Sequence, residues 1–169
     1  MVLTVEGGTG LSDAEAYASV ADLDAYVTDF GLTLATSSTA EKEVALRIAA
    51  RDMDAQYKLR WKGERTTADQ FLDWPRTGVL TRDGRYIEEA PLPTNLKRAN
   101  IELAIRSRDG DTLTPDVTNP GNIKREKIKA GEVEQDTTYQ NPKEQTKKYT
   151  IVENLLRDLI IPGGMVERG

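Results

Sequence analysis

Apolar residues recur at helical spacing in four stretches of this chain and at strand spacing in one late stretch. Leu46, Ala49, Met53 and Tyr57 keep the three-and-four-residue interval of a buried stripe, and Val44 and Ile48 widen it. A helix is therefore predicted from a Ser38 or Thr39 cap to about Tyr57, with Glu41 and Glu43 at its positive end. An earlier helix is expected over "VADLDAYVTDF", opened by Ser19 with Asp22 as its capping partner and closed at Gly31. A third, over roughly 94–108, turns Leu96, Ala99, Leu103 and Ile105 inward. In the fourth, after Tyr149, Val152, Leu155, Leu156, Leu159 and Ile160 form one apolar stripe ended by Pro162-Gly163-Gly164. The N-terminal "VLTV" suits a short strand.

Alternation of period two marks "IKREKIKAGEVEQDT", residues 123–137, as a hairpin. A two-residue turn at Ala130-Gly131 sets Lys129 opposite Glu132, Lys127 opposite Glu134 and Arg125 opposite Asp136 on one face. Ile128 then meets Val133 on the other. A hairpin with one apolar cross-strand pair is marginal in water, and exposed ion pairs add little, so it packs on its own domain or on a neighbouring subunit. The predicted architecture is mainly α: a small helical bundle with a protruding β-hairpin and a C-terminal helix. It divides into a helical core (1–122), the hairpin (123–138), and a linker with the last helix (139–169), which reads as a core element or a partner-binding arm.

Between the second and third helices the periodicity stops. "RWKGERTTADQFLDWPR", residues 60–76, holds both tryptophans and one of the two phenylalanines, set among Lys62, Arg65 and Arg76. Aromatics interleaved with cations describe a stacking platform for single-stranded nucleic acid. They equally describe a structural corner in which Trp61, Phe71 and Trp74, stopped by Pro75, anchor irregular backbone. "TRDGRY" reads as a tight turn about Asp83-Gly84. The "EGGTG" cluster lacks the Gly-Lys-Ser/Thr of a phosphate-binding loop and reads as a flexible turn.

Composition narrows the chemistry. The net charge of −5 argues against a surface dominated by phosphate contacts, though it leaves room for a local basic patch. With no cysteine and no histidine, thiol nucleophiles, thiolate metal sites and Ser-His-Asp catalysis are excluded. No enzyme activity, metal or cofactor is expected. No stretch is apolar and long enough to span a membrane, and a soluble chain of intracellular origin is expected.

The order of "VEGGTGLSDAEAYASVADLDAY", "ALRIAARDMDAQYKLRWKGERTTADQFLDWPRTGV", "RDGRYIEEAPLPTNLKRANIELA", a "KREK" strand and a closing "VENLLRDLI" helix resembles one family over nearly the full length. That family is the head–tail connector (adaptor) proteins of long-tailed phages, sometimes labelled DnaT-like single-stranded-DNA-binding. The resemblance implies a virion-neck protein made in the bacterial host cytoplasm, forming a ring of about twelve subunits. It implies docking beneath the portal protein, a downstream stopper or tail-terminator partner, and double-stranded DNA passing through the lumen without sequence-specific contact. On that expectation Trp61, Phe71, Trp74 and Pro75 are a corner. Arg125, Lys127, Ile128, Lys129, Glu132, Val133, Glu134 and Asp136 touch the next subunit, and Val152, Leu155, Leu156, Leu159 and Ile160 meet the portal. The alternative is a single-stranded-DNA-binding replication accessory, favoured by the label and the aromatic-basic stretch.

Overall fold

The computed structural model describes residues 2–34, 38–114 and 148–162 in full, and the paired backbone of 125–130 and 133–138. The chain is mainly helical, with a small antiparallel hairpin. In order come α1 (Val20–Asp29), α2 (Thr39–Tyr57), β1 (Glu64–Arg65), β2 (Arg76–Thr77), α3 (Thr94–Arg108), β3 (Arg125–Ala130), β4 (Val133–Thr138) and α4 (Thr150–Leu156). Residues up to Leu113 and those from Tyr149 onward form one compact unit; Thr114–Lys148 form a second.

The starts of α1 and α2 follow from capping chemistry. Ser19 accepts from the Asp22 backbone N–H at 3.0 Å, and the Asp22 carboxylate accepts from the Ser19 N–H at 3.0 Å. Ser38 and Glu41 repeat this capping box at α2. Each box satisfies two end donors that would otherwise lack partners. Pro93 opens α3, and Arg106 and Arg108 occupy its last turn, where cations favour the negative helix end.

The core lies where α2 packs on α3, with α1 and α4 added to that pair. Leu46, Ala49 and Met53 of α2 face Leu96, Ala99 and Leu103 of α3, all fully buried. Each large apolar side chain so buried contributes roughly 1.5–3 kcal/mol. Val44 differs from expectation: it is half exposed and lies beside the stripe. Asn100 is a fully buried polar residue in this core. Its Oδ1 accepts from the Tyr17 and Ala18 N–H groups at 3.3 and 3.2 Å, and its Nδ2 donates to the Leu46 carbonyl at 3.2 Å. Asn100 thus ties the N-terminal segment to both central helices while leaving no buried amide unpaired. That segment forms a single bridge, Val5 to Ala16, where a strand was expected.

Two further differences concern the later elements. In the hairpin, Lys127 pairs with Asp136, Lys129 with Glu134, Ile128 with Gln135, Ala130 with Val133 and Arg125 with Thr138. The expected register is thus two residues off. Ala130 pairs with Val133 instead of entering the turn, and Ala-Gly is not among the favoured hairpin turn pairs. A slip of two keeps every residue on its expected face, so both lysines still oppose acids. Glu132 lies outside the described residues. The last helix is part of the main unit: Val152, Leu156, Leu159 and Ile160 are buried in the core, and Leu155 packs half-buried against it. The Lys62 N–H donates to the Leu159 carbonyl at 3.0 Å and the Ile161 N–H to the Arg60 carbonyl at 2.7 Å. These side chains are already spent on the chain's own core and are not a portal-facing arm.

Candidate nucleic-acid interface

Residues 58–86 hold seven Lys and Arg against four Asp and Glu, in a chain that is acidic overall. Gly63, with φ +67°, turns the backbone from α2 into β1; a Cβ there would stand 2.2 Å from the Thr77 carbonyl oxygen. Only glycine accommodates both that torsion and that approach. The turn lets β1 pair with β2, Glu64 opposite Thr77 and Arg65 opposite Arg76. Sequence periodicity missed this pair, since two-residue strands carry no alternation.

The aromatic residues of this corner separate into two sets. Trp74 is fully buried and Trp61 nearly so, their rings 6.0 Å apart edge to face, with Tyr57 5.8 Å from Trp61. Pro75 is buried beside them. No base can stack on either tryptophan. Phe71, expected in the same cluster, is instead 69% exposed. Its backbone is nonetheless tightly held: its N–H donates to the Leu11 carbonyl at 3.0 Å. Arg65 Nη2 donates to the carbonyls of Gln70 and Leu72, on either side of it. The buried Gln70 Nε2 donates to the Leu72 and Pro75 carbonyls at 2.9 and 3.0 Å.

Asp54 of α2 ties the corner to the rest of the fold. Its carboxylate accepts from the Tyr17 hydroxyl at 2.7 Å and the Asp73 N–H at 3.0 Å, and the Trp74 N–H donates to the same hydroxyl oxygen at 3.2 Å. Burial pushes the Asp54 carboxyl up to about 7 against the opposing pull of these two donors; the Asp73 charge adds to the rise and Arg65 counters it. Burial, with the Asp54 charge, also raises the Tyr17 phenol.

Many of the cations are spent on backbone. Arg76 donates to the carbonyls of Lys62, Asp73 and Gly63, and Lys62 Nζ to those of Leu80 and Asp158. Arg60 pairs with Glu153 at 3.0 Å and lies 5.2 Å over the Tyr57 ring. The tip of the corner differs. Leu80 bridges Tyr86, and the Thr81 N–H donates to the Arg85 carbonyl at 2.8 Å, closing a turn in which Gly84 takes φ +76°. On it stand Arg82 and Arg85, both exposed, and Tyr86, 77% exposed. Neither guanidinium forms an ion pair among the described residues. Sequence reasoning found this turn but not its use; the signal was a tyrosine following two arginines that flank an Asp-Gly turn.

The glycine cluster near the N-terminus is a cradle of N–H groups that is already filled. The buried Glu6 accepts from Gly8, Thr9 and Gly10 at 2.8, 2.8 and 3.0 Å through one oxygen, and from Leu11 at 2.7 Å through the other. It has the geometry of an anion nest, but its anion is the chain's own. Among the described residues no group of three acids is placed to hold a metal ion, and no helix is long and apolar enough to cross a membrane.

The model of one family, described as "Putative DnaT-like ssDNA binding protein", matches residues 1–169. The chain belongs to this DnaT-like family. No curated protein and no solved structure matches it. The family match overturns the adaptor expectation: nothing in it points to a phage connector, a virion neck, a ring, a portal or a stopper partner. The subunit-contact role expected of Arg125, Lys127, Ile128, Lys129, Glu132, Val133, Glu134 and Asp136 loses the ring it presupposed. The portal role of the last helix falls as well, since its apolar stripe is buried as described. The resemblance misled because helices and a tryptophan corner report a fold, and function resides in the surface groups that the fold leaves free.

Proposed function

We propose that this DnaT-like chain binds single-stranded DNA, without catalysing a reaction on it, through the cationic corner between α2 and α3. The observation that carries this reading is the tip of the corner, where Arg82 and Arg85, in no ion pair among the described residues, stand on the same ordered turn as the exposed Tyr86. Guanidinium groups suit phosphate, and an exposed ring suits the face of an unpaired base. The family's description supports the same ligand. Single strands are favoured over duplex because a paired, stacked base has no free face to offer the ring. The acidic remainder of the surface repels phosphate, which confines the strand to this corner and makes binding salt-sensitive.

Fluorescence anisotropy of a labelled oligothymidylate across a salt series tests the reading. Affinity should fall steadily with salt, and an unlabelled duplex should compete poorly. Reversing both tip charges, Arg82→Glu with Arg85→Glu, should weaken binding at least about tenfold and lower the salt slope by about 0.7 per lost phosphate contact. Both side chains are exposed, so the melting temperature should not change. Salt-independent binding, or full affinity in the double variant, refutes it.

A further inference from the structure

After Tyr86 at the tip, Phe71 is the most exposed aromatic ring of the corner, and the fold holds its backbone in place while leaving its side chain in water. Leaving a phenyl ring largely in water forgoes most of the stabilisation its burial would give. No aromatic ring or guanidinium among the described residues lies against it. Phe30, the other exposed phenylalanine, differs: Tyr26 stands 4.4 Å from its ring and Arg98 5.8 Å, so that ring is already engaged. Beneath Phe71 the Arg65 guanidinium is fixed by the two carbonyls that bracket it, using one terminal nitrogen. Among the described residues the rest of this exposed fork carries no hydrogen bond or ion pair. A rigid apolar face beside an anchored, unneutralised cation is complementary to one unpaired base with its phosphate.

We propose that Phe71 and Arg65 form a nucleotide subsite, in which one base stacks on the Phe71 ring and its phosphate takes the free N–H groups of Arg65. This rests on the single-stranded-DNA reading and extends it from the tip to the far end of β1. Pre-organisation is what the surrounding hydrogen bonds supply. The Phe71 backbone and the Arg65 guanidinium are held before the strand arrives, which lowers the ordering cost of binding. Stacking accepts any base, so the subsite adds affinity with little sequence preference.

The test is oligothymidylate affinity for Phe71→Ala, Phe71→Leu and Phe71→Trp, with the Arg82→Glu/Arg85→Glu variant beside them and melting temperatures for all. Phe71→Ala should weaken binding about 5- to 100-fold, the range of losing one stacked base. Its salt slope and melting temperature should stay those of the wild type, since neither a charge nor a buried group is removed. Phe71→Trp should restore affinity, and Phe71→Leu should not. Phe71→Ala or Phe71→Leu binding as tightly as wild type, while the tip variant binds weakly, overturns the subsite and leaves the single-stranded-DNA reading standing. Absence of oligonucleotide binding by the wild type overturns both.

Discussion

Between about pH 5 and pH 8 this chain has almost nothing to titrate, because it contains no histidine and no cysteine. Among the described residues Asp54 is a group that changes charge there, its carboxyl being pushed up to about 7 from the ordinary 3.8 by burial. The sign follows from linkage. As pH rises above about 4, the unfolded chain gives up this proton while the folded chain keeps it, so the fold loses stability. The loss continues until pH passes about 7, where both states are ionised. Each pH unit in that window costs at most about 1.4 kcal/mol, so the interval from pH 5 to 7 costs at most about 3 kcal/mol. Asp54 keeps some contact with solvent, which reduces the expected loss to about 1–2 kcal/mol. Glu15, Asp22 and Glu41, whose carboxyls are held low, act in the opposite direction, and their contribution is lost only below about pH 4.5. Urea unfolding at pH 5, 6, 7 and 8 measures the effect directly. Wild type should weaken by about 1–2 kcal/mol and then level off, whereas Asp54→Asn should hold nearly constant and exceed wild type at pH 8. A wild-type profile that is flat or rising, or an Asp54→Asn profile of the same slope, refutes the argument.

Two further substitutions test the corner itself. Trp74→Ala should cost about 3–5 kcal/mol in urea unfolding, while Trp74→Phe should cost less than half of that, since it also removes an indole N–H with no hydrogen-bond partner. Gly63→Ala should cost about 2–4 kcal/mol, combining a left-handed torsion with a Cβ driven into the Thr77 carbonyl; a melting temperature within a degree or two of wild type would show that β1 and β2 do not depend on that approach.

What the sequence disclosed divides along physical lines. Ser19 with Asp22 and Ser38 with Glu41 advertise helix starts because both halves of a capping box lie within four residues, and the stripe of α3 shows its face for the same local reason. The role of α4 was not legible. Its apolar stripe is equally suited to a partner or to its own core, and only the chain's return to Lys62 and Arg60 decides between them. The hairpin's pattern predicted the pairing and the faces but not the register, because a slip of two residues leaves the alternation unchanged. Asp54 was invisible for a different reason. It sits beside Met53 on a stripe that reads as core, and its meaning depends on Tyr17 and Asp73, distant in sequence. Phe71 was grouped with two buried tryptophans because spacing in an irregular segment carries no burial signal.

The same irregularity separates structural cations from binding ones. A stretch of backbone with neither helix nor extended ladder leaves carbonyls without N–H partners, and each left buried would cost about 1–3 kcal/mol. Arg76, Lys62 and part of Arg65 meet that need, which is why a basic segment was required here whatever the protein binds. Cationic sequence alone is therefore weak support for a nucleic-acid surface. The informative groups are those in excess of the carbonyls: Arg82 and Arg85 at the tip, and the open side of the Arg65 fork. They stand beside the two rings, Tyr86 and Phe71, that the corner leaves in solvent. On this argument the arginines differ in what their loss does. Removing Arg76 should unfold the corner, whereas removing Arg82 or Arg85 should leave the fold intact and release the strand.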